Sequence, residues 1–129
     1  MNLNDLNILT ATAISRPAAN TATLTTGWID LQDYLGVVKI MQEIGVVSGT
    51  NPTWDGKIQH SADGATSDGD VAGATFAQVT ASNSSLAIQV DTRTVHRYIR
   101  YVGTIGGTAT PTFNACIEMI GGKRRLGSL

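Results

Sequence analysis

The chain has 129 residues, room for one domain with a single core and not for two. It is 42% apolar and 15% charged with a formal net charge of −1, which excludes a disordered acidic or basic protein and leaves no general nucleic-acid footprint. Thr, Ala, Gly, Ser and Val dominate while Leu, Glu and Lys are scarce, a composition of sheets and turns rather than helices.

The opening stretch, MNLNDLNILTATAISRPAAN, lacks the basic n-region and apolar core of a signal peptide. No apolar run reaches the roughly 18–20 residues that cross a bilayer. These features predict a soluble protein made in the cytoplasm. Short β-like runs with turn signals between them follow near 8–14, 21–31, 36–46, 54–61, 75–80, 85–90, 97–105 and 112–120. Their spacing predicts an all-β, single-domain two-sheet sandwich over residues 1–129, jelly-roll-like, with extended arms at about 1–7 and 121–129. The one candidate helix, LQDYLGVVKIMQEIGVV, would put Leu31, Leu35, Val38 and Gln42 on one face. Its Val and Ile content and its edge glycines favour a strand.

The segment KIQHSADGATSDGDVAGATF, residues 57–76, poses the question of a calcium loop. Counted from Asp63, an EF-hand would need a glycine at Asp68 and a glutamate at Ala74, so the register fails. Asp68-Gly69-Asp70 is left at most as part of an irregular oxygen site. SADG and SDGD are both turn sequences, and residues 62–74 are expected to form an exposed connection between strands.

Alternation is clearest near the C-terminus. In RYIRYVGTIG, Ile99, Tyr101 and Ile105 oppose Tyr98, Arg100 and Thr104. In TFNACIEMIGG, Phe113, Ala115, Ile117 and Met119 oppose Asn114, Cys116, Glu118 and Ile120. GGTATP between them reads as a hairpin turn, which would make the two runs antiparallel neighbours with Arg100 facing Glu118. The expected core includes Trp28, Val38, Ile40, Ile58, Phe76, Ile99, Tyr101, Phe113 and Ile117.

Chemistry is sparsely signalled. His60 and His96 lack metal-ligand spacing and read as rim and edge residues. No nucleophile elbow, marked carboxylate pair or phosphate loop is present. Cys116, the single cysteine, reads as a small buried hydrophobe. The sequence therefore points to a non-enzymatic protein with no cofactor and no metal. Two basic groups stand out: Arg93, Arg97 and Arg100 with His96, and Lys123, Arg124 and Arg125. They read either as solvated polar positions or as an ionic docking surface for an acidic partner. With aromatics at 5%, no stacking platform for nucleic acid emerges.

GWIDLQDYLGVVKIMQEIGVVSGT, KIQHSADG, RYIRYVGTIGGTATPTF and IGGKRR, in that order over residues 27–125, resemble small virion structural proteins of tailed phages and prophages. The resemblance implies a capsid decoration, or cement, protein on the capsid exterior, synthesised in the bacterial host cytoplasm and bound to the major capsid protein. It further implies a homotrimer, with a dimer as the alternative, and neither membrane nor direct nucleic-acid binding. The expected contacts are an N-terminal arm anchored by Leu3 and Leu6 and a basic hook of Lys123, Arg124 and Arg125, with Arg93, Arg97 and Arg100 as further candidates. Rival readings are a head-tail connector or tail component, and a carbohydrate-binding β-sandwich module using Trp28 or Trp54 as its platform.

Overall fold

The computed structural model describes residues 8–123. Among these the chain is all-β, with seven strands and no helix. They are β1 (Ile8–Asn20), β2 (Leu24–Thr25), β3 (Ile29–Asp30), β4 (Tyr34–Ser61), β5 (Asp70–Thr75), β6 (Ser84–Asp91) and β7 (Tyr98–Lys123). Every pairing between them is antiparallel.

Two strands dominate. β4 has 28 residues and β7 has 26, and they pair from Tyr34↔Lys123 to Ser61↔Tyr98. A straight strand of that length would run about 90 Å, whereas a chain of this size folds to a radius of gyration of about 14 Å. The ribbon must therefore bend. It does so where register shifts fall between Ser48, Thr50 and Thr53, opposite Gly106 to Thr112. Gly49, Asn51, Gly107, Ala109 and Thr110 all adopt positive φ there.

The bend divides the sheet into two halves. The terminal half, which holds Ile8 and Lys123, has the order β1-β7-β4-β6. The loop half, beside residues 62–69, has β2 and β3 on β7, then β4, then β5. Side chains from both halves build one core. Val38, Ile40, Ile44, Phe113, Ile117 and Met119 come from the terminal half, and Trp54, Ile58, Ile99 and Tyr101 from the loop half. The Trp54 and Phe113 rings lie 5.3 Å apart, joining the two. Of the expected core residues, only Trp28 is not buried.

Several expectations are corrected. The runs near 36–46 and 54–61 are one strand, as are those near 97–105 and 112–120. GGTATP is thus a bend within β7 and not a hairpin turn: Gly107, Ala109 and Thr110 take positive φ there, but β4 follows alongside and keeps the chain running forward. Arg100 consequently lies opposite Gln59, while Glu118 lies opposite Met41 and Ala13. The run near 21–31 is two short strands, and the strand expected near 75–80 is Asp70–Thr75 instead. The connection is therefore shorter than 62–74. Residues 121–123 are not an arm: they complete β7 between β1 and β4, and Gly121 is buried.

Candidate binding surfaces

Alternation places Lys57 and Gln59 of β4 on the outer face of the loop half, opposite Ile58 in the core. A polar ladder crosses that face. Arg100 Nε and an Nη donate to Gln59 Oε1 at 3.0 and 2.8 Å. Gln59 Nε2 donates to Asp70 Oδ1 at 2.9 Å, and Lys57 Nζ reaches Asp70 Oδ2 at 3.0 Å. The bonds from Gln59, then Lys57, hold the Asp70 carboxyl below its ordinary range. At the other end the Arg100 guanidinium sits 4.4 Å from the Trp28 ring centroid.

Nearby, Arg97 grips Asp30 through two bonds of 2.9 and 2.8 Å and also donates to Gln32, which keeps Asp30 ionised below its usual range. Arg93 grips Asp91 in the same bidentate way. Two of the three arginines predicted as a docking surface are therefore already matched by carboxylates, and the third lies along an indole. They form no free cationic patch, which favours the plain polar-face reading of this group.

The loop at residues 62–69 folds around Ser61, whose side chain is fully buried. Its Oγ donates to the Thr66 carbonyl at 2.5 Å and accepts from the Gly64 amide at 3.1 Å. Asp63 Oδ1 accepts from the Ala65 and Thr66 amides, each at 2.9 Å. Those amides, Thr66 foremost, bring the Asp63 carboxyl down to about 2. Asp68 takes the Ala62 amide at 2.7 Å and faces His96 Nδ1 at 2.8 Å. A carboxylate only accepts, so this nitrogen of His96 carries the proton. The His96 amide donates in turn to His60 Nδ1, and the two imidazoles stack at 4.2 Å. The pair, 36 residues apart in sequence, has no motif that announces it. Among the described residues no three His, Cys, Asp or Glu groups converge as a metal site.

At the far end of the molecule Lys123 lies 5.0 Å from the Tyr34 ring, beside Ile8. Leu35 and Val37 are exposed there, 39% and 48% respectively. Leu3, Leu6, Arg124 and Arg125 lie outside the described residues. Trp54 is removed as a sugar platform: it is 0% exposed, and its Nε1 donates to Tyr101 Oη. Trp28 is half-buried under Arg100.

Sequence reasoning did not find the outer face of the terminal half. Pro17 and two register shifts lift β1 off β7 around Arg16. Beside them opens a groove of about 430 Å³ lined by Pro17, Ala18, Glu43, Asn114 and Cys116, among others. A proline inside a strand pattern signals such a bulge. Cys116 is half-buried here rather than in the core, and partial burial with Glu118 and Glu43 nearby pushes its thiol up, away from nucleophile behaviour. Glu43 is turned toward β6, where Ser85 Oγ donates to it at 2.6 Å. No protein-family model matches the chain, and no curated protein matches it significantly.

Proposed function

We propose that this chain is a jelly-roll virion structural protein of a tailed phage, non-enzymatic, which binds the outside of the capsid lattice as a homotrimer and stabilises the head. The observation that carries the reading is the row shared by Ile8, Lys123 and Tyr34. It sets the two ends of the described residues side by side, next to exposed Leu35 and Val37. In this reading Leu3 and Leu6, which precede that row in sequence, and Arg124 and Arg125, which follow it, supply apolar and cationic groups to one contact region. An extended arm can add to a partner's sheet edge, and many copies on a symmetric shell sum modest contacts.

The strand pairing supports the jelly-roll part. Divided at the bend, the two long strands and their neighbours give eight segments in chain order, β2 and β3 counting as one. The halves then read 1-8-3-6 and 2-7-4-5. That nesting supports a two-layer jelly roll, an architecture found in viral capsid domains and in lectins. The lectin side of the comparison is less favoured, with Trp54 buried and Trp28 covered.

Purified protein mixed with undecorated expanded capsids tests the reading. Saturable binding that raises the temperature of genome release is expected. Deleting residues 1–7 should weaken it more than Arg124→Ala, because an exposed ion pair contributes only about 0–1 kcal/mol. Absence of capsid binding, together with glycan binding lost in Trp28→Ala, would move the protein to the sugar-binding class.

A further inference from the structure

The edges of the two half-sheets are built differently. In the loop half they are blunted: β2 and β3 have two residues each, and β5 carries a register shift. In the terminal half they are open. β6 pairs without interruption from Ile44↔Ser84 to Val37↔Asp91 and contains no Lys, Pro or bulge. β1 pairs without interruption from Ile8↔Lys123 to Ala13↔Glu118, a stretch with no charge and no proline. Among the described strands, β1 has β7 as its one neighbour and β6 has β4. Unpaired amides and carbonyls on long regular edges are templates for another strand, and folds that must stay monomeric guard them.

The registers specify how two such edges fit. Outer-face rows run Ala11–Ile120–Lys39–Gln89 and Ala13–Glu118–Met41–Ala87 across β1, β7, β4 and β6. The next row has Arg16 and Pro17 in the bulge opposite Cys116, then Glu43 and Ser85. β1 and β6 run antiparallel to each other within this sheet, so a second copy set alongside continues the antiparallel alternation. Its Ala13 then meets Ala87, two small side chains that allow close approach, and its Arg16 comes level with Ser85 and Glu43. Arg16 has no ion-pair partner among the described residues, and Glu43 leans toward the β6 edge, away from its own Arg16. The backbone of the arriving Arg16 lies two strand spacings from β4, about 10 Å, a gap that Arg and Glu side chains bridge together.

We infer that β1 of one copy adds to β6 of the next, with Arg16 of the first paired to Glu43 of the second, and that this heterologous contact builds the homo-oligomer. The inference rests on the oligomer part of the function proposed above and is independent of any capsid. A head-to-tail contact of this kind forms a ring when the rotation between copies closes.

Sedimentation of the purified chain without capsids tests it. The wild type should self-associate, and Arg16→Glu and Glu43→Arg should each weaken association about tenfold, since like charges then face each other. Mixing the two variants should restore much of it, because each contact between unlike variants regains opposite charges, two of the three in a mixed three-membered ring. Circular dichroism of each variant controls for folding, and rescue by mixing separates misfolding from loss of the contact. Under mild oxidation Ala13→Cys/Ala87→Cys should form intermolecular disulfides that neither single variant forms. A monomeric wild type, association insensitive to both reversals, or cross-linking of Ala13→Cys alone (the mark of a two-fold β1–β1 pair) would each overturn the inference. Capsid binding by a protein that stays monomeric would sink this contact while leaving the virion reading standing.

Discussion

The Tyr101 hydroxyl ties together two other fully buried side chains. It accepts from Trp54 Nε1 at 2.6 Å and donates to Gln42 Oε1 at 2.5 Å, with all three residues 0% exposed. Gly56 makes this possible, because a Cβ there would collide with both Gln42 and Tyr101. Burial pushes the phenol well above its ordinary range, so it stays protonated as a donor. Tyr101→Phe strands two buried polar groups at once and should cost about 1–3 kcal/mol, read from the urea midpoint. Gln42→Leu should cost less, since Gln42 Nε2 has no partner among the described residues and its removal offsets the lost bond. In the double variant the costs should fail to add, which a double-mutant cycle measures. Asp63 yields a pH prediction of definite sign. Its folded value of about 2 is below the 3.8 of the free group, so the ionised form is the one the loop holds. Loop order is therefore complete above about pH 4 and is lost as the pH falls through 2. Protection of the Ala65 and Thr66 amides relative to their intrinsic exchange rates should fall over that interval, and Asp63→Ala should lack this protection at neutral pH.

At the scale of elements, the bend in β4 and β7 decides the architecture. Gly107 sits at its inner corner with φ 118°, where a Cβ would come within 2.8 Å of the Asn51 carbonyl oxygen. Gly69 has a similar φ of 111° in the exposed loop, with nothing within 4 Å. Gly107→Ala should therefore destabilise by about 1–3 kcal/mol, the cost of a strained backbone plus a displaced neighbour, and Gly69→Ala by clearly less; chemical denaturation of the two separates these effects. The bend also marks the limit of what the sequence discloses. Period-two alternation identified the inward side chains Ile99, Tyr101, Phe113, Ile117 and Met119, because a buried face imposes its pattern on each strand separately. Gly106, Gly107 and Pro111 announced unusual dihedrals, but such residues serve a reversal and a bend alike, and the partner strand chooses between them. The site was less legible for the same reason. Arg97 with Asp30 and His60 with His96 are pairings decided across strands, 67 and 36 residues apart, so Arg97 looked unmatched along the chain until its partner arrived from elsewhere. Arg16 and Glu43 are each ordinary strand residues in isolation, and only the row numbering brings them into relation.

Taken whole, the molecule has no strand group that is independent of the rest. β4 and β7 run through both halves, and Trp54 of one half packs on Phe113 of the other. Unfolding should be a single cooperative transition, with tryptophan fluorescence and circular dichroism changing together; separate midpoints would mean that the halves melt independently. Folding should be slow for a chain of this size, since the central ribbon joins Tyr34 to Lys123 across most of the sequence.

The row that holds Ile8 beside Lys123 has a covalent corollary. A tight turn in place of residues 1–7 and 124–129 would connect these antiparallel neighbours and close the backbone into a circle. The circle could then be cut within 62–69, an exposed loop tip of the kind that tolerates new ends. The order of segments along the chain would change while every pairing survived, and the two free ends would emerge from the opposite pole of the molecule. The fold thus separates where the polypeptide starts from what the sheet looks like, and only the first of these determines at which pole the chain ends emerge.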